Sequence, residues 1–207
     1  MDGRSLRLSV PTLENYSFVV LPSPPDGNCF FHSVCRAFYI SYLTQNLEGA
    51  YLSRYQIVTR FRSELASELD SINPEDPERR TYYSSIGGGS LEKLGSEIPE
   101  EFGLQALKSL LNSTESVGEA VIIYTSMRLR KSVYIIDATT RDVYITAEVP
   151  QNMPSIILWY TPGHYDLLAL QEPNGQIITH FSPQHPVIAA IQARFREIKS
   201  EGNNPRI

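Results

Sequence analysis

The chain is poor in several things at once. It holds two cysteines in 207 residues, too few for the disulfide framework of a small secreted scaffold, so a reducing, cytoplasmic setting is expected. Its longest uninterrupted apolar runs are five residues, such as Ala120–Tyr124 and Ile156–Tyr160, against the roughly twenty that a bilayer-spanning helix needs. No membrane partner is expected. The opening stretch MDGRSLRLSVPTLENYSFVV has no long apolar core and no small-residue cleavage site, which argues against a secretory signal. The sequons at Asn15 and Asn112 then read as chance. Basic residues are in the minority, 18 against 23 acids for a net charge of −5. That is the wrong sign for a chain drawing its affinity from phosphates, so nucleic acid is not an expected partner. Internal repeats and low-complexity tracts are absent as well.

What is present fits one elaborated domain over 1–207, able to bury roughly 70% of its extended-chain surface and so to hold a core without staples. Phe18–Leu21 is a short apolar run that enters the rigid turn Pro22-Ser23-Pro24-Pro25. The four-residue recurrences Phe30, Val34, Phe38 and Phe31, Cys35, Tyr39 predict a helix from Cys29 to Leu43, capped by Asp26 or Asn28. Ile57, Phe61, Leu65 and Leu69 predict another over Arg54–Leu69. Asn73–Pro99, with its Gly87-Gly88-Gly89 run and few large apolar residues, reads as a loop-rich insertion or lobe.

Helices are expected again over Glu100–Leu111 and Ser116–Leu129. Then come strands at Val133–Ile136, Val143–Thr146, Ile156–Tyr160, Tyr165–Leu170 and Ile177–Phe181, and a closing helix over Pro186–Ile198. Helices first and strands later make the class α+β.

The chemistry concentrates in Asp26-Gly27-Asn28-Cys29-Phe30-Phe31-His32. It sets a cysteine in the first turn of a helix, directly after a glycine-containing turn. Unpaired amides and the positive end of the dipole there favour thiolate over thiol, which predicts a lowered Cys29 pKa. The same amides can receive an oxyanion. A thiolate nucleophile needs a base, and the base needs an orienting group. His164 and Asp166 lie two apart at the entry to a predicted strand, on one face of it. This is a Cys, His, Asp order along the chain.

These residues carry a resemblance. Asp26 to Ser33, Ser116-Val117-Gly118-Glu119 followed by Val133–Ile136, and Ile156–Tyr160 followed by His164-Tyr165-Asp166 resemble the OTU (ovarian tumour) family of cysteine proteases. The pieces fall in the family's order over about 140 residues. The resemblance implies a papain-like α+β fold, a central, mostly antiparallel sheet packed between helical lobes. It also implies hydrolysis of the isopeptide bond after the C-terminal glycine of ubiquitin or polyubiquitin, by a monomer with no metal or organic cofactor. It makes Cys29 the nucleophile, His164 the general base, Asp166 the group that orients His164, and Asp26 a support of the loop that shapes the oxyanion hole. The backbone of Gly27 and Cys29 would form that hole. The chain departs from the family in having His32 where arginine is frequent and Val117 where tryptophan is common, and Asn73–Pro99 has no counterpart.

Other candidates weigh less. Cys35 reads as a buried thiol. His32 packs beside the nucleophile helix or meets solvent, and Cys29 with His32 lacks the second ligand pair that a closed zinc site needs. His180 and His185 read as surface-loop histidines. Glu75–Glu101 carries seven acids and three bases, and Glu75, Asp76 and Glu78 are candidate contacts for a basic protein partner. Two rivals to deubiquitination stay open: cleavage of another ubiquitin-like modifier or a polyprotein, and non-catalytic ubiquitin binding.

Overall fold

The computed structural model describes residues 4–8, 13–147 and 153–200, so the expected single domain of 1–207 runs beyond them at both ends. The chain is α+β. Strands β1 (Arg4–Leu6), β2 (Ser17–Leu21), β5 (Ser132–Asp137), β6 (Val143–Ala147), β7 (Ser155–Thr161) and β8 (His164–Gln171) form one sheet in the order β1-β2-β8-β7-β5-β6. A two-residue β9 (Ile177–Ile178) also pairs with β8. Every pairing is antiparallel except β5 with β7. Strands β3 (Asn46–Leu47) and β4 (Ala50–Tyr51) make a separate hairpin that the sequence pattern does not announce.

Period-two alternation gives the sheet two apolar faces. Val19, Leu21, Val133, Ile135, Ile156, Leu158, Tyr165, Leu167 and Ala169 join one core, where α1 (Cys29–Phe38), α3 (Arg54–Glu68) and α8 (Glu119–Leu129) pack. Phe18, Tyr134, Ile136, Ile157, Leu168 and Leu170 face the other way, onto α9 (Pro186–Ser200). The closing helix is legible: Pro186 stands at its first position, and Ile188, Ile191, Phe195 and Ile198 are buried together. Helix α3 begins with a capping box in which the Gln56 amide donates to Ser53 Oγ at 3.2 Å and the Ser53 amide to Gln56 Oε1 at 2.9 Å. None of the described helices is long and apolar enough to cross a membrane.

Several boundaries differ from expectation. The predicted Cys29–Leu43 helix breaks at Tyr39, which is extended (φ −87°, ψ 105°), and resumes as α2 (Ile40–Thr44). Helix α8 starts at Glu119 instead of Ser116, with extended Gly118 as its N-cap. The supposed loop-rich stretch after Asn73 is helical from Tyr82 onward. It holds α4 (Tyr82–Ser85), a 3-10 turn (Ile86–Gly89), α5 (Ser90–Glu97) and α6 (Pro99–Phe102), leading to α7 (Leu104–Leu111). Composition misleads here because a few scattered apolar side chains suffice: Tyr83, Ile86, Leu91 and Phe102 enter the same core as α1 and α3, while Ile98 stays exposed. The glycine run supplies the left-handed links at Gly87, Gly88 and Gly89 (φ 61°, 69° and 88°).

Candidate active site

Strand β2 follows β8 up to the pair Leu21–Leu167, and Pro22-Ser23-Pro24-Pro25 then crosses the end of the sheet. Arg36 Nη1 holds that crossing by donating to the Pro22 carbonyl at 2.8 Å. The Ser23 amide donates to Asp166 Oδ1 at 2.8 Å. Ser23 Oγ lies 2.8 Å from Ser33 Oγ on α1, and Ser33 Oγ donates to the Tyr165 carbonyl at 3.2 Å. Helix α1 is thereby stitched to the first residues of β8.

The consequence falls on the cysteine. The Tyr165 amide donates to Cys29 Sγ at 3.4 Å, joining residues 136 positions apart. Tyr165 stands between the two other expected site residues. His164 is the first residue after the Pro162-Gly163 turn of the β7–β8 hairpin, with Gly163 at φ +77°. Its Nε2 lies 3.0 Å from Asp166 Oδ1. A carboxylate only accepts, so Nε2 donates to Asp166 and Nδ1 is the ring nitrogen left for proton exchange with a nucleophile. Two N–H groups, from Ser23 and His164, converge on one oxygen of Asp166. The orienting carboxylate is itself held.

The turn before Cys29 is fixed more elaborately than its sequence shows. Of the two expected caps Asn28 takes the N-cap position of α1, but no side chain makes the capping hydrogen bond. Asp26 Oδ1 accepts instead from the Asn28 amide at 2.9 Å, and Asp26 Oδ2 lies 3.0 Å from His32 Nε2. Asn28 occupies the N-cap position but gives its Oδ1 to Arg62 Nη1 at 2.8 Å. No side chain is spent on capping the first turn of α1, where the Phe30 amide instead bears on the Cys29 sulfur. Gly27 is required twice over: its φ is +78°, and an added Cβ would sit 1.7 Å from the Thr114 carbonyl oxygen.

Sequence reasoning missed Arg62. Buried at 2% exposure, it donates to the carbonyls of Leu111 (3.2 Å), Leu110 (2.6 Å) and Gly27 (3.3 Å) as well as to Asn28 Oδ1. Its guanidinium also lies 4.8 Å from the Phe31 ring centroid. Burial pulls its pKa down while Asp26 raises it. The overlooked signal is a cation among Val58, Leu65, Ala66 and Leu69, on the apolar stripe of α3.

The electrostatics of the cysteine correct an expectation. Cys29 is 3% exposed, and burial pushes its thiol above the ordinary range. The Tyr165 and Phe30 amides pull it down, while Asp166 and Asp26 push it further up. Desolvation outweighs the helix start, so the shift runs upward, opposite to the lowered pKa anticipated for Cys29.

Elsewhere the expectations divide. His32 is buried between Asp26 and Tyr42, whose hydroxyl lies 2.9 Å from Nδ1. Cys35 is buried and its thiol pushed far up by desolvation. His180 lies 3.1 Å from Lys131 Nζ, and His185 Nδ1 accepts the Val187 amide at the start of α9. Asp76 is no free contact for a partner. Its carboxylate receives the Arg80 amide and guanidinium, which hold it below the usual carboxylate range. Glu75 and Glu78 are exposed, beside Arg130 and Arg80 respectively.

No protein-family model and no curated protein matches the sequence. Solved structures do. An ovarian tumour domain in complex with ubiquitin is similar over 97% of this chain and 96% of its own, at a TM-score of 0.54 and 15% identity. The Hazara virus OTU bound to ubiquitin is 19% identical over 82% of this chain and 88% of its own, with a TM-score of 0.40. The OTUD1 OTU domain is 15% identical over 73% and 85%, with a TM-score of 0.46. The chain has the fold of the ovarian tumour domains.

Proposed function

We propose that the chain is a thiol-dependent deubiquitinase that hydrolyses the isopeptide bond after the C-terminal glycine of ubiquitin. The observation that carries this reading is the Tyr165 amide on Cys29 Sγ, which sets the sulfur beside the residue following His164, with His164 aligned by Asp166. The 0.54-scoring neighbour, in complex with ubiquitin, supports the choice of substrate.

In the proposed cycle His164 Nδ1 takes the Cys29 proton as the sulfur attacks the glycine carbonyl carbon, because burial raises the pKa of the thiol. The C=O electron pair moves to oxygen, and the amides at Gly27 and Cys29 receive the oxyanion. Collapse breaks the C–N bond while Nδ1–H protonates the departing lysine amine. His164 then deprotonates water, which attacks the thioester, releases the ubiquitin carboxylate and restores the thiol. Glu75 and Glu78 are retained as contacts for a basic face of the partner. Reversing both charges lowers kcat/KM at low salt, and the deficit shrinks at high salt.

The test is ubiquitin bearing a C-terminal electrophile, applied under reducing conditions beside the same warhead on other ubiquitin-like modifiers. The expected result is one adduct with ubiquitin that disappears in Cys29→Ala. An adduct that survives this substitution, or none with the unaltered chain, refutes the reading.

A further inference from the structure

The cycle above makes no use of His32 or Tyr42, although both are buried behind the nucleophile turn. We propose that His32 is a positioning residue for this reaction: through Asp26 it holds the Gly27–Asn28 peptide unit, and so aims the amides that receive the oxyanion. The inference rests on the hydrolase reading of Cys29.

The hydrogen bonds of His32 have a single consistent direction. Asp26 Oδ2, an acceptor, lies 3.0 Å from Nε2, so that nitrogen bears the proton. Burial draws the imidazole below its ordinary range against the opposing pull of Asp26, and Arg54 nearby acts in the same sense as burial. The ring is neutral at pH 7, and Nδ1 offers its lone pair to the Tyr42 hydroxyl at 2.9 Å. Burial keeps that phenol protonated, and Arg54 lies over its ring. The chain therefore runs from Tyr42 O–H to His32 Nδ1, and from His32 Nε2–H to Asp26 Oδ2.

The other oxygen of Asp26 does the positioning. It accepts the Asn28 amide at 2.9 Å, while the carbonyl at the opposite end of the same peptide plane, Gly27 O, accepts from Arg62. A peptide unit is planar and rigid, so fixing its N–H and its C=O stops it rotating. This matters because glycine at φ +78° otherwise adopts alternative orientations cheaply. The next carbonyl, Asn28 O, accepts the His32 amide at 2.8 Å, so residue 32 holds the turn through backbone and ring together. An apolar side chain at 32 would fill the space without desolvating an imidazole, and it would leave Asp26 free to swing.

The experiment compares His32→Leu, His32→Gln and Tyr42→Phe in the full chain. Three rates are read: turnover of a fluorogenic ubiquitin C-terminal amide, alkylation of Cys29 by chloroacetamide, and hydrogen exchange of the Asn28 amide by NMR. Alkylation passes through no oxyanion and so reports the sulfur alone. For His32→Leu the expected result is a kcat about tenfold or more lower, short of the roughly 10²–10³-fold cost of deleting an oxyanion donor. KM and alkylation stay near wild type, and Asn28 exchanges faster. Glutamine, which restores an N–H to Asp26, recovers most of kcat. Tyr42→Phe shows the same pattern more weakly and stands in if the leucine variant does not fold. Alkylation falling in step with kcat, glutamine no better than leucine, or unchanged Asn28 exchange overturns the proposal. If the unaltered chain turns over no ubiquitin substrate, the hydrolase reading and the positioning role fall together, and Asn28 exchange alone then reports whether His32 holds the turn.

Discussion

Replacing Arg62 with methionine keeps the length and apolar contact of the side chain but removes every hydrogen bond it makes. Two of its acceptors, the Leu111 carbonyl and Asn28 Oδ1, lie in buried bonds, and two, the Leu110 and Gly27 carbonyls, in part-buried ones. A buried acceptor left unpaired costs about 1–3 kcal/mol, and a part-buried one less because water reaches it. Against this, the variant no longer desolvates a guanidinium. The net expectation is a loss of about 3 kcal/mol. For a chain of this size that corresponds to roughly 6–12 °C in Tm.

Lysine should fall between, since a point charge on a flexible stem cannot reproduce a fork that spans the end of α7 and the Gly27 turn. Urea unfolding followed by circular dichroism gives the answer, as a lower midpoint at constant slope. Turnover adds a second signature: Arg62→Met also frees the Gly27 carbonyl, so kcat falls even where the protein is fully folded. A methionine variant within about 0.5 kcal/mol of wild type, the ordinary range for surface changes, would show that these carbonyls find water and that the guanidinium anchors nothing.

Three further outcomes follow from the same geometry. Because burial raises the Cys29 pKa, alkylation of the resting chain by iodoacetamide should keep accelerating through pH 9; a plateau by pH 7 would reveal a preformed ion pair. Gly27→Ala must strain a left-handed residue, at about 1–2 kcal/mol, and push the Thr114 carbonyl aside, so kcat should drop about a hundredfold or more, the scale of a lost oxyanion donor; near-normal kinetics would contradict that close approach. His32, facing Asp26, Tyr42 and Arg54, has a folded pKa below its unfolded value of about 6.5. The unfolded chain thus binds the extra proton first. Its contribution to stability is complete above pH 6.5 and is lost as pH falls toward the folded value. Urea midpoints between pH 7.5 and 5 should decline less steeply in His32→Leu than in wild type, and equal slopes would count against this linkage.

Much of this was readable from local pattern. His164 and Asp166 share a strand face because side chains alternate, and a spacing of two is visible in any strand. The apolar period of α9 and the glycine before the nucleophile are equally local. The sequence also marks Cys29 as the start of a helix, a matter of a few neighbouring residues. The helical nature of the Tyr82–Phe102 stretch was hidden because its four anchoring side chains are scattered among glycines and charges.

Tertiary structure decided everything that depends on distance through space. Cys29 meets the Tyr165 amide across 136 positions, and Arg62 bonds Leu110 and Leu111 across 48 and 49. No periodicity encodes such pairs. The direction of the Cys29 shift belongs here too, since the helix start that favours thiolate is a local feature, whereas the packing that excludes water around the sulfur comes from α1 meeting β8. Desolvation is a property of what surrounds an atom, and those surroundings exist only once the chain has folded.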